Sequence, residues 1–75
     1  MAIKRVKKEK FVELHNNGSL WAKGSLLNGE PEGLFKWYRK DGTLMRMGSF
    51  KKGKQVGTWT TFNKNGGVVK ITKMK

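Results

Sequence analysis

Three stretches of this 75-residue chain align on one another at a constant offset of 24 residues. A fixed period of that length marks a stacked array, in which each unit buries its apolar residues only against its neighbours. Turn pairs fall in register as Asn17-Gly18, Asp41-Gly42 and Asn65-Gly66. Before each turn stands an apolar pair with constant spacing: Phe11 and Leu14, Phe35 and Tyr38, Trp59 and Phe62. After it come Leu20, Leu44 and Val68, then Trp21, Met45 and Val69, then Leu26, Phe50 and Met74. Gly24 matches Gly48, Gly29 matches Gly53, and Gly33 matches Gly57.

Each unit reads as two strands and a tight turn. Asn-Gly and Asp-Gly are the pairs that tolerate positive φ at both central positions of a type I′ turn, so the three registered pairs are predicted to adopt it. In the second unit the strands are expected over about 33–40 and 43–51, and the turns Asn28-Gly29 and Lys52-Gly53 pass the chain to the next hairpin. The reading is all-β: about three stacked antiparallel hairpins in a meander of about six strands. Its units cover about 9–32, 33–56 and 57–75, behind a flexible basic arm at 1–8. Residues on one face of a strand are two apart, so pairs three apart imply either a bulged strand or rings on opposite faces. Gly33 and Gly57, two positions before Phe35 and Trp59, are predicted to seat a neighbouring ring or to mark a sharp bend.

So short a chain has little apolar surface to bury and leaves no room for a large cleft. It has no cysteine, which removes disulfides and thiolate metal sites, and no apolar run follows its basic start. No transmembrane segment and a cytoplasmic location are expected. Lys and Arg number 17 against 5 Asp and Glu, a net charge of +12, and no acid follows Asp41. That field favours an anionic partner without choosing among an acidic protein, nucleic acid and anionic lipid. Lys70, Lys73 and Lys75 on the last strand discourage edge-to-edge aggregation, which leaves a monomer or an edge-paired homodimer.

Catalytic chemistry has little to stand on, and the chain reads as a non-enzyme without cofactor or metal. His15 shares its repeat position with Arg39 and Asn63 and reads as a solvated strand-end histidine. Asp41 is explained by its turn. Glu30 and Glu32 flank Pro31 in a connection, with no nucleophile or metal-ligand cluster beside them. The binding candidates are Trp21 and Trp37 with the cations Lys36, Arg39, Lys40, Arg46, Lys51, Lys52 and Lys54. Glu13 and Thr61 occupy the repeat position of Trp37, so the repeat does not demand an aromatic there. Trp37 therefore either covers part of a small core or anchors a partner, and Lys36, Arg39 and Lys40 beside it form a basic-aromatic cluster.

The patterns Gly33-x-Phe35-x-x-Tyr38-x-x-x-Gly42 and Gly57-x-Trp59-x-x-Phe62-x-x-x-Gly66 resemble the MORN (membrane occupation and recognition nexus) repeat. The similarity is nearest to the variant in small bacterial proteins often labelled antitoxin components, and it covers about 9–75. In the first copy Glu9 and Lys10 stand where Gly33 and Leu34 stand in the second. The resemblance implies hairpins laid side by side in an elongated, curved sheet used as a docking surface, with anionic lipid as one associated ligand. Together these readings favour a module that docks an acidic protein partner, antitoxin-like or inhibitor-like. Nucleic-acid binding is the competing reading and anionic lipid the third.

Overall fold

The computed structural model describes residues 7–74. These form an all-β chain of seven strands: β1 (Lys8–Leu14), β2 (Leu20–Leu27), β3 (Glu30–Pro31), β4 (Gly33–Tyr38), β5 (Leu44–Lys51), β6 (Lys54–Phe62) and β7 (Val68–Met74). Every pairing is antiparallel, and the sheet runs β1-β2-β4-β5-β6-β7 with β3 attached to β2. The molecule measures 53 × 33 × 12 Å. Two packed sheets lie about 10 Å apart before their outer side chains are counted, so the 12 Å dimension identifies a single layer. Among the described residues only Ala22, Phe35 and Trp59 are buried apolar ones.

Six strands were expected, and the seventh is the two-residue β3, where the proline ring leaves no N–H for a longer ladder. Between β2 and β4 only Ala22↔Trp37 and Lys23↔Lys36 pair, whereas β5 and β6 pair along most of their length. The expected strands of the second unit are shortened at the turn, to Gly33–Tyr38 and Leu44–Lys51. Of the arm assigned to 1–8, the first six residues lie outside the described ones. Lys7 exchanges hydrogen bonds with Asn28 and Lys8 opens β1, so the sheet begins earlier than expected.

The turns correct the sequence reading. At Asn17-Gly18, Asp41-Gly42 and Asn65-Gly66 only the glycine has positive φ. Gly18 N–H donates to the His15 carbonyl and His15 N–H to the Ser19 carbonyl, and the same pair of bonds recurs at Arg39 to Thr43 and Asn63 to Gly67. These are three-residue hairpin loops closed by a left-handed glycine. The asparagine and aspartate serve through their side chains instead. Asn17 Oδ1 accepts from both N–H and hydroxyl of Ser19, and Asp41 Oδ1 does the same from Thr43. At the third turn Gly67 has no hydroxyl, and Asn63 Oδ1 takes over, accepting from the N–H of Asn65 and of Gly67. Positive φ at both central positions, the mark of type I′, occurs in the linking turns: Asn28 (52°) with Gly29 (85°), and Lys52 (52°) with Gly53 (80°).

Ring-on-glycine contacts exist, but at other glycines than those expected. A Cβ on Gly24 would lie 2.5 Å from the Phe35 ring, and one on Gly48 would lie 2.0 Å from Trp59. Gly33 and Gly57 have open space around them and positive φ, 86° and 72°. They are the bends, and Gly24 and Gly48 are the seats. Of the two alternatives for the apolar pairs, opposite faces is the one the strands adopt, because the strand that carries each pair is not itself bulged. Strand alternation puts Phe35 and Tyr38 on opposite faces, and the opposing strand carries a bulge, where Trp21, Met45 and Val69 are the unpaired extra residues.

A second repeating device ties neighbouring hairpins. His15 Nε2 donates to the Tyr38 carbonyl at 2.8 Å, and Arg39 Nη2 donates to the carbonyl of Phe62, one repeat further along. His15 is therefore half-buried and engaged, not solvated as the sequence reading had it.

Candidate functional site

Because the sheet is one layer, strand alternation and register divide its side chains between two solvent-facing surfaces. One surface is aromatic. Phe11, Phe35, Trp37, Phe50 and Trp59 form a continuous cluster with ring centroids 5.1–6.3 Å apart. Edge contacts of Phe50 on Phe35 and on Trp59 are the arrangement the ring quadrupoles prefer. The Arg46 guanidinium lies 4.8 Å above the Trp59 ring. Arg46 is thus held by the aromatic surface through a cation–π contact of roughly 0.5–2 kcal/mol. Trp59 Nε1 is buried without a hydrogen-bond partner. An orphan of that kind costs about 1–3 kcal/mol, which the ring packing offsets. Glu9 and Glu13 alternate with Phe11 on this side of β1.

The opposite surface carries Lys10, Lys23 and Lys36. Across it runs one row of directly opposed residues: Val12, Lys23, Lys36, Met47, Thr60 and Ile71. Lys23 and Lys36 therefore face each other directly, and Lys10, opposite Ser25, lies one diagonal from Lys23. Directly opposed residues have Cβ atoms about 4.5–5.5 Å apart, and diagonal ones about 7–8 Å. Lys10, Lys23 and Lys36 line an open groove of about 370 Å³ with Val12, Leu34 and Ser25, and no carboxylate lines it. Among the described residues the ion pairs are Lys7 with Glu9 and Lys64 with Asp41, and neither involves these lysines. Glu30 and Glu32 stand at the linking-turn end, and Glu32 is engaged by the fold. Glu32 Oε1 accepts from Lys52 N–H at 2.8 Å, and a Glu30 carboxylate oxygen lies against Gly53.

This partition rearranges the candidates read from the sequence. Alternation along β4 separates Lys36 from Trp37, so the basic-aromatic cluster is not one surface. Trp37 joins the aromatic cluster. Arg39 is committed to the fold, donating to the carbonyls of Leu44 and Phe62 and to Thr43 Oγ1. Lys40, Lys51, Lys52 and Lys54 are exposed at turns, with Lys51 directly opposite Lys54. Trp21 is 41% exposed at its bulge, with its ring 6.2 Å from His15. Lys10 and Lys23 were missed by the sequence reading. The signal for them was available: two lysines that the β1–β2 and β2–β4 registers together bring next to Lys36 once the hairpins are aligned on the glycines.

Asp41 shows how one turn is tuned. Hydrogen bonds from the Thr43 hydroxyl and N–H hold its carboxyl below the ordinary value of 3.8, with smaller help from Lys64 and Arg39. A depressed carboxylate stabilises the fold above its unfolded value, and that contribution is lost as pH falls through the folded one. The melting-temperature gap between the wild type and Asp41→Asn is therefore present at neutral pH and closes below pH 3.8. A gap that persists unchanged into that acid range overturns the assignment.

Among the described residues no helix is long and apolar enough to cross a membrane. The chain matches no family model, no curated protein and no solved structure.

Proposed function

We propose that this chain is a non-enzymatic interaction module of the MORN-like kind, which docks an acidic protein partner on its lysine surface. One observation carries the reading: Lys23 and Lys36 are directly opposed, with Lys10 beside them, in a groove without a carboxylate. Like charges in directly opposed positions destabilise a sheet. A carboxylate-bearing partner relieves that repulsion, and Val12 and Leu34 on the same surface offer it apolar contact. If the partner is a toxin or an enzyme, coverage of its acidic surface makes the module antitoxin-like or inhibitor-like.

Nucleic acid fits this arrangement less well. Sequence-tolerant strand binding combines a basic groove with aromatic stacking platforms on the same surface, and here the five-ring cluster shares its side with Arg46 and Lys70, not with the groove of Lys10, Lys23 and Lys36. Anionic lipid shares the charge argument but leaves the groove without a use for its shape.

Two variants test the proposal, Lys23→Glu and Lys36→Glu. Each replaces a like-charge pair with an opposite-charge one, so each keeps or raises the melting temperature. Each also places a carboxylate against the partner's carboxylates, and binding falls by about 2 kcal/mol or more, roughly thirty-fold. The partner is captured from native host lysate after nuclease treatment, and affinity is then measured on the purified pair. Capture that vanishes with nuclease, or binding to a DNA duplex that weakens steeply with salt, favours the nucleic-acid reading. Binding only to vesicles containing phosphatidylserine favours lipid. Variants that bind the captured protein as the wild type does exclude the lysine surface.

A further inference from the structure

The two outer strands of the sheet, β1 and β7, carry complementary edges that a single residue keeps apart. Within the molecule each hairpin seats its first ring on a glycine of the preceding hairpin, Phe35 on Gly24 and Trp59 on Gly48. One period beyond Gly48 stands Thr72, on β7 directly opposite Trp59. One period before Phe35 stands Phe11, on β1. Continuing the β5–β6 register by one period therefore lays β1 of a second copy along β7, with its Phe11 ring over Thr72.

The other pairs in that register match well. Arg46↔Thr61 becomes Lys70 opposite Glu13, and Met47↔Thr60 becomes Ile71 opposite Val12. Val12 and Ile71 are 57% and 58% exposed, so their mutual burial removes apolar surface that nothing among the described residues covers. One pair opposes the contact, Lys73 with Lys8, which succeeds Ser49↔Val56. The steric term is decisive. At the two glycine seats even a Cβ would come within 2.0–2.5 Å of the ring, far inside contact distance, and threonine adds two further heavy atoms on that carbon.

We infer that Thr72 closes the β7 edge to a second copy of this chain, and that its removal releases head-to-tail assembly through β7 and β1. The arrangement is heterologous, so once opened it extends into chains of copies instead of stopping at a dimer.

Thr72→Gly tests this by sedimentation at increasing concentration, with circular dichroism to verify that the sheet is retained. The wild type and Thr72→Ala, which keeps the obstructing Cβ, remain monomeric, whereas Thr72→Gly forms a concentration-dependent ladder of oligomers. The chain has no cysteine, so Val12→Cys on one copy and Ile71→Cys on another report the register directly. They cross-link in the Thr72→Gly background and not in the presence of Thr72. Should Thr72→Gly unfold, Phe11→Ala removes the obstruction from the other edge and gives the same cross-link. Cross-linking by the wild type at the level of the glycine variant overturns the inference, as does a folded Thr72→Gly protein that stays monomeric with folded Phe11→Ala giving no cross-link.

Discussion

Alanine in place of Trp37 leaves the protein only marginally folded at room temperature, with a melting temperature far below that of the wild type. The indole stands between Phe35, Phe50 and Trp59, at centroid distances of 5.9, 6.3 and 5.4 Å, and is paired directly with Ala22, which is fully buried. Truncating a packed tryptophan costs about 3–5 kcal/mol. A domain of this size has a total stability near the lower end of about 5–15 kcal/mol, so the loss consumes most of it. In a single-layer sheet no second layer closes over the gap. Thermal melts followed by circular dichroism check the result, with Trp37→Phe as the variant that retains the ring packing and most of the stability. Partner binding follows folding in both. A Trp37→Ala protein that melts like the wild type but has lost its partner reverses this assignment and restores Trp37 as an anchor.

Gly48→Ala is the second large effect, and its sign is opposite to the usual one. In a strand, exchanging glycine for alanine ordinarily gains about 0.5–1 kcal/mol through reduced backbone freedom. Here the new methyl group would sit 2.0 Å from Trp59 Cδ2, inside the ring that the structure places over Gly48. Trp59 is 2% exposed and has Trp37, Phe50 and Arg46 around it, so it has nowhere to move. Overpacking of that kind costs about 1–3 kcal/mol, and each kcal/mol lowers the melting temperature by about 4–8 °C in so small a domain. Coupling identifies the cause. Combined with Trp59→Leu, Gly48→Ala loses part of its penalty, because the two residues share one contact. Gly57, whose surroundings are open, shows no such coupling to Trp59. Equal and additive penalties at Gly48 and Gly57 mean that backbone conformation, not the ring, governs both.

These experiments separate two kinds of information in the chain. The all-β meander, the positions of its turns and the period of its glycines were legible from the residues because each has a local cause. A left-handed glycine closes a loop through its own φ, and an Asn or Asp side chain two residues before Ser or Thr bonds within the same turn. Even there type I′ was expected at the wrong turns, since Asn-Gly serves a two-residue loop and a three-residue loop equally well at the level of composition. Trp37 was legible as a departure from the repeat, but not as a member of the ring cluster. That depends on Phe50 and Trp59 arriving from other strands.

That this protein is a basic sheet of hairpins was written in the chain, since a 24-residue register, glycines recurring at the turns and a net charge of +12 need no tertiary contact to be read. Where the rings and charges go was set by strand pairing. Cross-strand register put Phe35 on Gly24 and Trp59 on Gly48, and it set Lys23 against Lys36 while Trp37 turned to the other side. It also drew Arg39 inward, to a carbonyl 23 residues away. The physical reason is that a strand exposes alternate residues on opposite faces, so one bulge or one step of register reassigns every side chain beyond it. Neighbours along the chain carry no record of that choice until the strands pair.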